Sequence, residues 1–223
     1  MGVATISFAD ICSLRGAFSA LAFFVGVALT ATVASATTVD GIAKYNAGRF
    51  DDALKTLGPL ANAGDPVAQC FVARIYNAAT GGVRRDLALA KQYAERSLLA
   101  LHAKSNEGVA NAQECLGWLR VGRLVGEPNL SESFQLAKRS AEQGNVDGQR
   151  AMGYKYRSGL GVARDHTEAN RWFEKASRGG SVEAKFALAL AQRNGWGVTK
   201  NESAAAFQFK ALAEAGWAIA QSQ

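Results

Sequence analysis

The sequence predicts an all-α fold built from stacked helix-turn-helix repeats. Four glycines, Gly108, Gly144, Gly180 and Gly216, lie 36 residues apart, and a fixed period in this range is typical of helical repeat proteins. The stretch between Gly144 and Gly180 has the pattern of a helix, a Gly-rich turn, a second helix and a Gly stop. One such hairpin cannot bury its apolar face alone, so the repeats are expected to stack into a single cooperative unit.

The period divides the chain into consecutive parts. Residues 64–216 contain four units, which span 64–107, 108–143, 144–179 and 180–216. The first unit is longer than the others, and its surplus either extends the second helix or forms a protruding loop. Residues 37–63 are predicted to be a helical cap or a degenerate repeat, and 217–223 a truncated segment that caps the apolar end of the stack.

Residues 1–36 have the pattern of a secretory signal peptide. Arg15 supplies a positive flank, an apolar stretch runs from Ala17 to Val33, and Ala34-Ser35-Ala36 fits a cleavage site before Thr37. The alternative is an uncleaved anchor helix, because about 20 apolar residues can span a bilayer. Cleavage would leave no stable membrane span, so we expect an exported protein, either periplasmic or secreted.

The net charge restricts the expected binding partners only slightly. The net charge of +6 favours acidic partners, although a solvated basic surface would give the same value. We expect no nucleic-acid partner, since no DNA- or RNA-binding motif is present.

The sequence contains three cysteines. Cys12 lies in the leader, and Cys70 and Cys115 lie in consecutive units. Those two either form a disulfide or are two small, half-buried apolar residues.

The third unit carries a resemblance to a known family. The residues that carry it are Gln149, Met152, Gly153, Tyr156, Gly159, Gly161, Val162, Asp165, Ala169, Trp172, Ala176 and Gly180. They are similar to the Sel1-like repeat pattern, which is related to the tetratricopeptide repeats, and the resemblance covers about residues 64–221. The resemblance implies an α/α superhelical solenoid and, in most members, a protein-interaction role without catalysis.

Side-chain chemistry assigns roles to several of these residues. Gly159 and Gly161 permit the backbone angles of a tight hairpin corner, and Asp165 is placed to cap the second helix. Tyr156 and Trp172 are expected to fill the space between adjacent hairpins.

A stripe on the non-core face of the first helices is the predicted partner-binding surface. Residues ten positions after each repeat glycine lie opposite the centre of the core face, since each residue turns a helix by about 100°. Trp, Tyr and Arg dominate binding hot spots, so the stripe would bind a protein or peptide of acidic character. The alternative is that Trp118 and Tyr154 pack between neighbouring first helices. The stripe consists of Arg74, Trp118, Tyr154 and Leu190, with Arg157 and Arg193 beside it.

The sequence contains no pattern that predicts catalysis. Only two histidines exist, and neither has a nucleophile or carboxylate at a recognisable motif spacing. Some cysteine-rich relatives are associated with β-lactam binding or hydrolysis, but this chain lacks their regular cysteine pairs. We therefore expect no enzyme activity, no cofactor and no metal. The predicted function is an interaction adaptor or scaffold, for instance one that regulates an envelope signalling or assembly partner. The alternatives are a glycan or cell-wall binder and a secreted effector.

Overall fold

The computed structural model describes residues 37–78 and 82–217. The predicted leader, 1–36, and all but the first residue of the predicted terminal segment lie outside these residues. The described chain is all-α, with no strand, which confirms the predicted fold class. The helices are α1 (37–46), α2 (Phe50–Asn62), α3 (Pro66–Ala78), α4 (Leu87–Asn106), α5 (Ala110–Leu119), α6 (Leu130–Glu142), α7 (Val146–Ser158), α8 (His166–Arg178), α9 (Val182–Asn194) and α10 (Glu202–Glu214).

Polar side chains begin the second helix of every repeat. Asp165 has extended backbone angles, and its Oδ1 accepts a hydrogen bond from the Glu168 N–H at 2.9 Å. This confirms the predicted cap, which stabilises a helix by about 1 kcal/mol. The same contact to the third residue on is made by Asp86, Asn129 and Asn201.

The hairpin corners need glycine for two reasons. Gly161 has a φ of +77°, which L-residues with side chains rarely adopt, and a Cβ there would collide with the backbone carbonyl of Leu130 in the preceding repeat. Gly197 is equivalent, with a φ of +66° and a Cβ position 2.5 Å from the His166 carbonyl carbon. These two corners therefore rest directly on the backbone of the repeat before them.

The repeats stack so that the first helices form one inner layer. Helices α3, α5, α7 and α9 contact one another in succession, while each second helix packs against the first helix of its own repeat and of the next. The surplus residues of the first repeat extend α4, which has 20 residues where α6, α8 and α10 have 13. Tyr156 and Trp172 are half-buried between adjacent hairpins, as predicted.

A disulfide joins the first two repeats. Cys70 on α3 and Cys115 on α5 are bridged, with their Cα atoms 6.0 Å apart, and both residues are fully buried. The structure thus selects the bridge from the two possibilities that the sequence allows. In the described part of the chain, no helix has both the length and the hydropathy needed to cross a membrane.

Candidate partner-binding site

A cavity of about 190 Å³ opens on the first-helix layer, where α1, α3, α5 and α7 meet. Its floor and walls are apolar over most of their surface, yet three basic side chains and one carboxylate reach it. The apolar part includes Trp118, Val121, Ala137, Ala151 and Leu160; the charged part is Arg74, Glu114, Arg150 and Lys155.

Arg74 and Glu114 form a buried ion pair at the cavity. Each residue is 3% exposed, and Nη2 of Arg74 donates to Oε2 of Glu114 at 2.5 Å. Burial raises the pKa of the Glu114 carboxyl above its usual value, although the Arg74 charge opposes that rise. Arg74 also lies 4.0 Å from Asp147 and stacks over the Trp118 ring at 5.0 Å.

Arg150 extends this charge network toward the fourth repeat. It donates to Oδ1 of Asp147 at 2.8 Å and to the carboxylate of Glu183. Its guanidinium also lies 5.7 Å from the centroid of the Tyr45 ring. Charges of both signs therefore run along the inner faces of α3, α5, α7 and α9; they are buried on α3 and α5 and half-buried at Arg150 and Glu183. Ion pairs in such positions are screened less by solvent than exposed ones.

Lys155 lies at the other side of the cavity. It is 3% exposed, and its Nζ donates to Oγ of Ser133 at 2.6 Å. The Ser133 hydroxyl in turn donates to the Gly117 carbonyl at 2.5 Å. Burial lowers the pKa of the Lys155 ammonium to about 8, with Glu114 acting in the opposite direction.

Two aromatic side chains border the cavity and are only half-buried. Tyr154 packs edge-on against Phe173 with ring centroids 5.1 Å apart, and Arg157 covers the Tyr154 ring at 4.7 Å. Trp118 is held by the Arg74 guanidinium. Cation–π contacts of this kind fix the orientation of a ring without burying it, so part of both aromatic surfaces stays accessible.

The structure brings together some of the predicted stripe and not the rest. Arg74, Trp118 and Tyr154 line the cavity, and Arg157 lies next to it through Tyr154. Arg74 differs from the expectation in being buried, because α5 and α7 supply carboxylates that the stripe did not include. The other two residues lie in the last repeat, where Leu190 packs on the Phe209 cluster and Arg193 covers the Phe209 ring at 5.5 Å.

The sequence analysis missed four polar residues of the cavity: Tyr45, Glu114, Arg150 and Lys155. A signal existed for two of them. Glu114 and Arg150 both lie six positions after their repeat glycine, one helical turn before the predicted stripe, and they carry opposite charges. Charged residues at that neighbouring position therefore indicate both side chains, although their ion-pair partners lie at other positions of the repeat. No periodicity could have found Tyr45, since it precedes the repeats.

Helix α1 crosses the stack on the same side as the cavity. Near its start Thr38 donates to Asp65, which precedes α3, at 3.0 Å, and near its end Asn46 donates to Asp147 at 3.0 Å. A Cβ on Gly48, in the turn after α1, would lie 2.6 Å from the Trp217 ring. The α1 segment therefore bridges the beginning and the end of the stack.

The described residues offer little for metal binding. Between residues 37 and 217, outside the gap at 79–81, no group of three or more His, Cys, Asp or Glu side chains could hold a metal ion. The chemistry that the site does offer is charge pairing and apolar contact, both of which serve non-covalent recognition.

These features define a helical-repeat solenoid with its polar and aromatic contacts on the inner layer. A family model described as the Sel1 repeat matches residues 66–99, 110–145, 146–181 and 182–217. The chain belongs to the Sel1 repeat family.

Solved structures agree with that assignment. The chain is similar to a Sel1 repeat protein from Oxalobacter formigenes, with 25% identity and a TM-score of 0.50, over 83% of this chain and 70% of that one. It is also similar in fold to c5321, a protective antigen in uropathogenic Escherichia coli, with 24% identity and a TM-score of 0.52. That match covers 75% of this chain and 42% of the antigen. No curated protein matches the sequence.

Proposed function

We propose that the protein is an exported, non-catalytic scaffold that binds a segment of a partner protein on its first-helix layer. Sel1 repeats commonly serve as protein-interaction scaffolds. The observation that carries the proposal is the cavity on that layer, where accessible Trp118 and Tyr154 surface borders buried Arg74 and Lys155. Aromatic and Arg anchors around a pocket are the usual composition of a binding hot spot.

The charge of the cavity supports an acidic partner. Arg74, Arg150 and Lys155 line the cavity together with the carboxylate of Glu114, and Arg157 lies just outside. Asp147 and Glu183, which pair with Arg150, do not line it. Charge complementarity of this kind sets the specificity and the association rate of a complex more than its affinity. We propose that the recognised segment carries at least one Asp or Glu next to an apolar side chain.

The disulfide supports the exported location. Bridges such as Cys70–Cys115 persist in oxidising compartments and are rare in a reducing cytosol. Together with the leader-like pattern of residues 1–36, this favours a periplasmic or secreted protein. Intact-mass measurement of the chain from cell fractions tests the proposal, because cleavage before Thr37 gives a defined mature mass. Recovery of the uncleaved chain with reduced cysteines in the cytosol would contradict it.

Cross-linked pull-down from intact cells tests the scaffold role. The wild-type chain should recover one partner in stoichiometric amount, and the double change Trp118→Ala with Tyr154→Ala should abolish that recovery. Phe207→Ala is the matched control, since Phe207 is an aromatic residue that is 75% exposed on the outer helix α10. The control should keep full recovery.

A second variant distinguishes a loss of binding from a loss of folding. Arg157→Glu reverses a charge at a half-buried position beside Tyr154, where the guanidinium also lies 5.9 Å from the centroid of the Phe173 ring. It should weaken the capture of an acidic partner while the melting temperature stays within a few degrees of wild type. Full capture by both Arg157→Glu and the double aromatic variant would contradict the proposed surface. A collapse of melting in the aromatic variant alone would show that Trp118 and Tyr154 are structural.

A further inference from the structure

The cations at the cavity have hydrogen bonds that remain unmade. Nε of Arg74 and Nε of Arg150 are buried, and neither has a hydrogen-bond partner. The Lys155 ammonium carries three N–H donors, and Ser133 Oγ is its one acceptor among the described residues. Buried donors without acceptors are rare in folded proteins and each one calls for a specific explanation.

The carboxylates around the cavity are already paired with its two arginines. Arg150 pairs with Asp147 and Glu183, and Arg74 pairs with Glu114 and lies 4.0 Å from Asp147. Lys155 has no carboxylate within ion-pair distance in the described part of the chain, so its hydrogen-bond partner there is the neutral Ser133 hydroxyl, at a site where solvent screening is weak. A carboxylate placed in the cavity would supply Lys155 with an ion-pair partner and the missing acceptors together.

The remaining surface of the cavity selects the body of the ligand. Trp118, Val121, Ala151 and Leu160 present apolar atoms, and the volume of about 190 Å³ is that of a single ring or branched side chain rather than of a folded element. An inorganic anion would leave this apolar surface uncovered. A neutral hydrocarbon would leave the Arg74 and Lys155 donors unpaired. Only a group that has both a negative charge and an apolar part can pair with the donors and cover the apolar surface of the cavity.

We infer that the cavity binds a compact group in which a carboxylate is joined to an apolar body, with Lys155 and Arg74 receiving the carboxylate. This deepens the proposed function and rests on it where the group is an acidic residue beside an apolar one in the partner. A free organic acid carries the same chemistry from a different source.

The protonation of Lys155 gives an independent readout of the bound carboxylate. Burial lowers the pKa of this ammonium to about 8. An anion beside Nζ favours the charged form, so binding should raise the pKa toward the ordinary lysine value. The charged group that acts on Lys155 in the described chain is Glu114 on α5. The shift can be followed through the ¹³Cε resonance of labelled lysine.

The first experiment compares phenylacetate with phenylacetamide on the full chain by NMR titration. The two probes have the same ring and differ in charge. Phenylacetate should bind at least about tenfold more tightly, as expected for a charge-assisted hydrogen bond, and should shift resonances of Trp118 and Lys155. Lys155→Met, which keeps the length of the side chain, should remove this preference. Lys175→Met on the exposed surface of α8 is the matched control and should preserve it.

The second experiment separates the two sources by adding phenylacetate to the cross-linked pull-down. Loss of partner recovery identifies the partner as the source of the carboxylate. Unchanged recovery, with phenylacetate bound, identifies a free acid and leaves the scaffold role intact. If the wild-type chain captures no partner, the proposed function fails while the free-acid site still stands. Equal binding of the two probes, or binding of neither to the folded chain, overturns the inference in every case.

Discussion

Breaking the Cys70–Cys115 bridge should destabilise the protein by about 4 kcal/mol. The bridged residues are 45 positions apart, and the chain-entropy relation for closing a loop of that length gives about 13 cal/mol/K, which is about 4 kcal/mol at 25 °C. The bridge also fixes the spacing of α3 and α5 at the ion pair, since Cys70 lies one helical turn from Arg74 and Cys115 follows Glu114. Reduction should therefore weaken binding at the cavity as well as stability.

Urea unfolding of the oxidised and reduced chain at equal pH measures this loss. Reduction keeps both sulfur atoms in the core, so the difference isolates the covalent constraint from the packing. Cys70→Ala with Cys115→Ala adds a packing term and should lose more, and Cys12→Ser in both samples prevents thiol exchange. A difference in unfolding free energy below about 1 kcal/mol between the oxidised and reduced forms would refute the reasoning. It would mean that the unfolded reduced chain is as restricted as the unfolded bridged chain.

Three further predictions concern the charge network and the hairpin corners. Arg74→Met should lower the free energy of unfolding by about 3–5 kcal/mol, because it leaves Glu114 buried and unpaired. Arg74→Met with Glu114→Gln should return to within about 1 kcal/mol of wild type. A small loss in the single variant, measured by urea unfolding, would contradict this. Because the folded pKa of Lys155 is lowered to about 8 from 10.5, the unfolded chain binds more protons between those values, and stability should rise by about 1–2 kcal/mol from pH 7 to 9.5. Lys155→Met should flatten that rise, and an unchanged slope would exclude Lys155 as its origin. Gly161→Ala should lower the free energy of unfolding by more than about 2 kcal/mol, since it combines a positive φ with a backbone collision. Gly180→Ala has open space at its Cβ and should lower it by about 1 kcal/mol. Equal shifts in melting temperature for the two variants would refute the collision.

The fold could be predicted from sequence because its determinants are local and repeated. The 36-residue spacing, the glycines of the corners and the cap at Asp165 each act within a few residues, and each recurs. Even the surplus of the first repeat was limited to two outcomes, an extended helix or a loop. The disulfide stayed open at that level, because a bridge depends on the approach of two helices in different repeats and no spacing along the chain reports that distance.

The candidate site could be predicted only in part, since its charges pair across repeats. Helical periodicity placed Trp118 and Tyr154 on one surface correctly. It also placed Arg74 there, yet it gave no sign that Glu114 and Asp147 converge on that residue from two other helices. The contribution of Tyr45 depends on how α1 crosses the stack, which is a long-range contact made by a segment outside the repeat pattern. The roles of residues that depend on such long-range contacts can be assigned only from the three-dimensional structure.

The constraints around the cavity differ in strength, and this difference bears on how it binds. On one side, the Cys70–Cys115 bridge and the Arg74–Glu114 pair hold α3 and α5 together. On the other, Tyr45 of α1 closes the cavity through ring contacts with Phe71, at 5.0 Å, and with Arg150. A preorganised wall lowers the entropy that a ligand must lose on binding. We therefore expect the α3–α5 side to contribute more to affinity than the α1 side, which is held by non-covalent contacts alone.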